Sequence, residues 1–234
     1  MDEDLLLLID LRLHAASGFV ALVVAPLAMV VRKGGDWHRR WGRVFFWAML
    51  LVAVTAIVAG IMRPNVLMAL VAIFSFHMVA SGYRALYLKR LHQGQRPARM
   101  DYLLHGLAGL VNAGLFIWGV SHLALGQRSS VSIIFTVFGA IGLFMVWGQV
   151  RRFFQSNHDK RDWFYAHMSG MLGGYIATVS AFSAVNLSMI QPMWLQWLWP
   201  TLVGVPLLVL WIRSYKARFA KGERMHQVTD IRIR

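Results

Sequence analysis

The chain of 234 residues contains no cysteine, which excludes a disulfide framework, a thiolate metal site, an iron–sulfur centre and thioether-attached haem. Carboxylates are scarce as well: ten Asp and Glu stand against 24 Lys and Arg, and Asp10, Asp36, Asp101, Asp159 and Asp162 all fall at the ends of apolar runs or between them. Cation-coupled carriers rely on a carboxylate near the bilayer midplane, so that class is disfavoured. Lysine is absent from every apolar run, which removes a retinal Schiff base. Phosphate loops, dinucleotide glycine fingerprints and nucleophile elbows are also missing. The opening MDEDLLLLIDLRL lacks the basic head and small-residue cleavage site of a secretory signal, and reads as an acidic external segment leading into the first span.

What the chain has in abundance is hydrophobic sequence. Apolar residues make up 58% of it and lie in long runs. A bilayer core of about 30 Å needs roughly twenty residues of helix. Seven runs approach that length: 13–31, 44–62, 66–83, 103–125, 131–150, 167–190 and 195–212, the sixth being rich in Gly and Ser. The expectation is an all-α fold, a polytopic bundle of seven transmembrane helices over residues 1–212, followed by a basic tail at 213–234. The connections are too short for a separate domain.

A net charge of +14 would point to nucleic acid in a soluble protein, but its placement decides otherwise. Arg32, Lys33, Arg39, Arg40 and Arg43 follow the first span, while Arg84, Lys89, Arg90, Arg96 and Arg99 follow the third. Arg151, Arg152, Lys160 and Arg161 follow the fifth, and Lys216, Arg218, Lys221 and Arg224 lie in the tail. The alternate connections carry Arg63, Arg128 or no charge. The positive-inside rule therefore expects the N-terminus outside and the C-terminus in the cytoplasm, with anionic lipids and not nucleic acid as the partner of the basic residues. Trp37, Trp41, Trp163, Trp194, Trp197 and Trp199 fit interfacial belts.

Ionisable groups inside a membrane are costly, so those present become functional candidates. Here they are histidines. Counted from the nearest charged residue at 1.5 Å per residue, His105 lies about 6 Å, His167 about 7 Å and His77 about 10 Å inside the inner boundary. His14 and His122 form a second layer near the outer face. His105 shares its helical face with Asp101, Gly109 and Asn112, His167 with Gly170, Gly174 and Thr178, and His77 with Ser81 and Arg84. His38, His92, His158 and His226 fall in connections or the tail, where a solvated role is expected.

Three readings follow. In the first, two imidazoles from facing helices hold a b-type haem, with His105 and His167 as the leading pair, then His14 and His77; His122 contributes to a second haem. Arg84 would pair with a propionate. This makes a transmembrane electron carrier, a membrane oxidoreductase if it is an enzyme, serving a quinone or a redox partner. In the second, the histidines are structural and the chain is a non-redox membrane scaffold or small-solute carrier. In the third, His77, His105 and His167 bind zinc and activate water in a membrane hydrolase.

The most distinctive segment is KGGDWHRRWGRVFFWAM, residues 33–49, where Gly34 and Gly35 allow a tight turn. With HAASG at the start of the first span, it resembles a bacterial family of predicted multi-span membrane proteins of unassigned function. The resemblance implies a multi-pass protein of the bacterial cytoplasmic (inner) membrane. Separately, the layered histidines are similar in layout to those of transmembrane b-type cytochromes, although four or six spans commonly carry such haems. DYLLH at 101–105 and DWFYAH at 162–167 form a weak internal repeat.

Overall fold

The computed structural model describes residues 3–63, 66–155, 159–223 and 225, with backbone alone for 66–68. Seven α-helices account for nearly all of it, and no strand occurs among the described residues. They are α1 (Glu3–Val30), α2 (Asp36–Met62), α3 (Val66–Ala85), α4 (Arg99–Ala124), α5 (Ser130–Phe154), α6 (Asp162–Asn186) and α7 (Met193–Ala220). A short 3-10 turn, Leu91–Gln93, joins α3 to α4.

Local chemistry sets several of the boundaries. Gly34 has φ +76°, and Gly35 N–H closes the turn on the Arg32 carbonyl at 3.1 Å, as the glycine pair led one to expect. At the start of α4 the Asp101 carboxylate reaches back to the backbone N–H of Ala98 at 2.8 Å, which satisfies a donor the helix itself leaves open. Ser129 does the same for α5 by accepting from Ser132 N–H at 3.1 Å. Pro26 in α1 and Pro200 and Pro206 in α7 lie inside helices, which neighbouring helices in a membrane bundle tolerate.

Among the described residues six of the seven helices are long and apolar enough to cross a membrane. The remaining one, α3, lies at the centre of the bundle. α3 packs against α2, α4, α5 and α6, and Phe74, Ser75, His77, Met78, Val79 and Ser81 are all buried by it. A helix surrounded by protein can carry polar groups that a lipid-facing helix cannot. Outward faces show the opposite pattern: Phe19, Leu110, Ile117, Phe144 and Leu207 are each at least 60% exposed, while Asp101, Asn112, Ser180 and Ser183 are fully enclosed. Apolar side chains outside and polar ones inside mark a multi-pass membrane protein.

α3 and α6 meet in a close seam. A Cβ added to Gly170 would lie 2.5 Å from the Gly82 Cα, so only glycine at both positions lets the two backbones meet. Three larger apolar clusters lie around this axis, beside a small one of Ala53, Ala56 and Ala72. One joins Phe74, Met78, Leu115, Ile134, Phe138 and Leu198; a second joins Ala21, Val24, Phe45, Met49 and Val79. The third packs Phe164, Tyr165 and Met168 of α6 against Tyr215 and Phe219 of α7. α7 continues past position 212 to Ala220, with Tyr215 and Phe219 buried in that last cluster. α6 begins at Asp162, earlier than the apolar run, and stops at Asn186. His158, Arg224 and residues 226–234, including His226, lie outside the described residues.

Candidate functional site

The connections α1–α2, α3–α4 and α5–α6 meet at one end of the bundle, and that end gathers His38, His77, His105, His167, Arg84, Asp101 and Arg152. The central helix α3 divides them into two groups.

On the α4–α5 side, His77 and His105 form a direct pair. His77 Nε2 lies 3.0 Å from His105 Nδ1, with the rings edge-on at 5.3 Å between centres. Both side chains are buried, and His77 Nδ1 has no partner. Two nitrogens bound to one metal at about 2.1 Å each would stand roughly 3.4 Å or more apart, so 3.0 Å is the spacing of a hydrogen bond. Toward the basic end, two turns beyond His77 and one turn before His105, Arg84 Nε and Nη2 donate to the two oxygens of Asp101 at 2.7 and 2.9 Å. Asp101 is completely enclosed and, counting Ala98 N–H, accepts three hydrogen bonds. The Arg84 fork expected to meet a propionate is therefore taken by Asp101. Phe153 covers His105, their ring centres 5.5 Å apart. Asn112 lies farther along the same face of α4, its Nδ2 donating to the Ala108 carbonyl while Oδ1 is unpaired against Gly142.

On the other side of α3 the arrangement differs. His167 Nδ1 lies 3.0 Å from the Gly82 carbonyl, and His38 Nδ1 lies 2.9 Å from the Ala28 carbonyl. A carbonyl only accepts, so both Nδ1 atoms carry the proton and both Nε2 atoms hold a lone pair. The rings approach each other edge-on with centres 6.2 Å apart. His167 reaches this place through the Gly82–Gly170 seam, and His38 through the first turn of α2 folding back on the end of α1. Cations surround the pair: Lys33 and Arg39 are within electrostatic reach of His38, and Lys89 of His167. Burial lowers the Lys33 ammonium from its usual value to about 8, and its Nζ donates to the Met29 carbonyl.

His14 and His122 stand apart from these groups. His14 Nδ1 lies 3.0 Å from Thr55 Oγ1, whose own proton goes to the Leu51 carbonyl at 2.7 Å, so the imidazole donates here too. His122 turns back on its own helix, with Nδ1 2.9 Å from the Trp118 carbonyl and its ring stacked on Trp118 at 3.8 Å. The structure thus joins His105 to His77 and His167 to His38. His38 was placed in a solvated connection by sequence; the double-glycine turn before it was the available signal that the chain folds back at that point. His92 lies in the short turn before α4. Among the described residues no three His, Cys, Asp or Glu side chains converge to hold a metal ion, so His77, His105 and His167 do not form one three-ligand centre.

No family model, curated protein or solved structure matches this chain.

Proposed function

We propose that this protein is a seven-span electron carrier of the bacterial cytoplasmic membrane, with its basic end in the cytoplasm and a b-type haem held by His38 and His167. One observation carries the reading. The His38 and His167 rings, from different helices, face each other edge-on with centres 6.2 Å apart. Each is already oriented by an Nδ1–H bond to a backbone carbonyl, the outer support that fixes tautomer and direction in metal-bound histidine. Lys33, Arg39 and Lys89 supply the positive field that two propionates require, the task sequence had given to Arg84. Haem would add one-electron chemistry, which suits exchange with a quinone or a redox partner at the membrane surface. The orientation rests on the positive-inside rule and the anionic lipids it implies.

His77 and His105 favour a structural role, because they hydrogen-bond directly to each other at a spacing too short for a shared metal. Were all the histidines of this kind, the protein would be a non-redox scaffold or a small-solute carrier. A zinc hydrolase is supported least, since its three ligands are divided by α3.

The test is the optical spectrum of protein purified in mild detergent from haem-replete cells. A Soret band that sharpens and shifts on dithionite is expected. It should be lost in His38→Ala and in His167→Ala but retained in His105→Ala. A colourless wild type, or a band indifferent to both of the first two substitutions, would eliminate the proposal.

A further inference from the structure

In the last turn of α5, Arg152 is held by one edge only. Its Nη1 donates to Gln149 Oε1 at 2.8 Å, and Gln149 is itself buried. The opposite edge, Nε and Nη2, is enclosed and makes no hydrogen bond. Those two donors are parallel and coplanar, the fork with which arginine grips a carboxylate or phosphate through two oxygens. Asp162 lies within electrostatic reach, yet neither nitrogen bonds to it. The contrast with Arg84 is informative, because there the same fork is filled by Asp101. Arg152 as a whole is only partly buried, although these two nitrogens are covered.

His105 is within electrostatic reach of Arg152, and Phe153, which packs on His105, also meets Tyr102 at 5.6 Å. The one nearby carboxylate on α4, Asp101, is already neutralised by Arg84. Arg152 also sits at the basic end of a bundle whose flanks are apolar, the level at which phosphate groups lie in a bilayer. We propose that the Arg152 fork, between the ends of α4 and α5, binds a phosphate oxyanion, either the headgroup of an anionic phospholipid or a soluble phosphate. This site is independent of the haem reading, since it lies across α3 from His38 and His167.

The experiment uses the full chain in detergent, with two ligand arms. In one, native mass spectrometry titrates phosphatidylglycerol against phosphatidylcholine. In the other, thermal unfolding is followed with inorganic phosphate against chloride at equal ionic strength. Wild type should retain one phosphatidylglycerol in preference to phosphatidylcholine, or be stabilised saturably by phosphate; the arm that responds identifies the source. Arg152→Gln should weaken that binding about tenfold, and Arg152→Lys, which keeps the charge without the fork, should weaken it at least several-fold. Arg151→Gln, at the exposed neighbour, should stay within about twofold. If Arg152→Gln fails to fold, Arg152→Lys and the wild-type titrations decide alone. Absence of saturable binding in both arms, or equal binding by wild type and Arg152→Lys, overturns the proposal. So does a double-mutant cycle in which Arg152→Gln and Asp162→Asn each lower the melting temperature and together lower it no further.

Discussion

Replacing Gly170 by alanine tests the seam on which the His38–His167 arrangement depends. The new methyl carbon would lie 2.5 Å from the Gly82 Cα and the Gly82 nitrogen, whereas carbon–carbon contacts settle at about 3.5–4.0 Å. Both opposing atoms are backbone, so no side-chain rotation relieves the clash, and α3 and α6 must part by about 1 Å. Overpacking of this kind costs about 1–3 kcal/mol. For a domain of this size that is a fall in melting temperature of about 2–12 °C. The same displacement takes the His167 Nδ1 to Gly82 carbonyl distance from 3.0 Å to about 4 Å, beyond hydrogen-bonding range. Loss of an orienting bond of this type weakens metal affinity about 10–100-fold. The assay is thermal unfolding of the detergent-solubilised apoprotein beside a haem titration by absorbance. Gly114→Ala is the control: it is exposed on α4 and a Cβ there meets nothing within 4 Å, so its melting temperature should hold or rise slightly. If Gly170→Ala melts with Gly114→Ala and binds haem equally, both the close approach and its role in placing His167 are refuted.

Two further predictions concern the basic end. Asp101→Asn should destabilise the protein by about 1–3 kcal/mol, because it leaves the half-buried Arg84 guanidinium facing a neutral amide; a denaturant or thermal comparison with Arg84→Gln/Asp101→Asn should show the pair recovering part of that loss. Lys33 has its pKa lowered by burial to about 8, so the unfolded chain binds the extra proton between about 8 and the ordinary lysine value. Stability from this group is complete above about pH 10.4 and is lost as pH falls toward 8. The slope should vanish in Lys33→Met, and equal slopes in the two proteins would contradict the burial.

Much of the architecture was legible from composition alone. Long apolar runs leave the backbone no partner in lipid except its own helix, so all-helical structure and most helix positions follow from the one-dimensional pattern. The turn at Gly34 was readable because it depends on residues adjacent in sequence. The end of α7 was not, since Tyr215 and Phe219 look like tail residues until α6 brings Phe164, Tyr165 and Met168 beneath them. Likewise the central place of α3 among its four helical neighbours is a fact that no window of sequence contains.

For the candidate site the division is sharper. Periodicity placed His77, His105 and His167 at a common depth and on polar faces, because depth and face depend only on rise and angle per residue. Pairing depends on how helices turn toward one another. Sequence ranked His105 with His167, and the tertiary structure set His105 against His77 and His167 against His38, on opposite sides of α3. Similarly, an Asp101–Arg84 contact and an open fork at Arg152 cannot be distinguished by counting charges at helix ends. Only the packing of α3, α4 and α5 determines which guanidinium meets a carboxylate and which remains unpaired, because hydrogen bonding acts over about 3 Å while sequence records order alone.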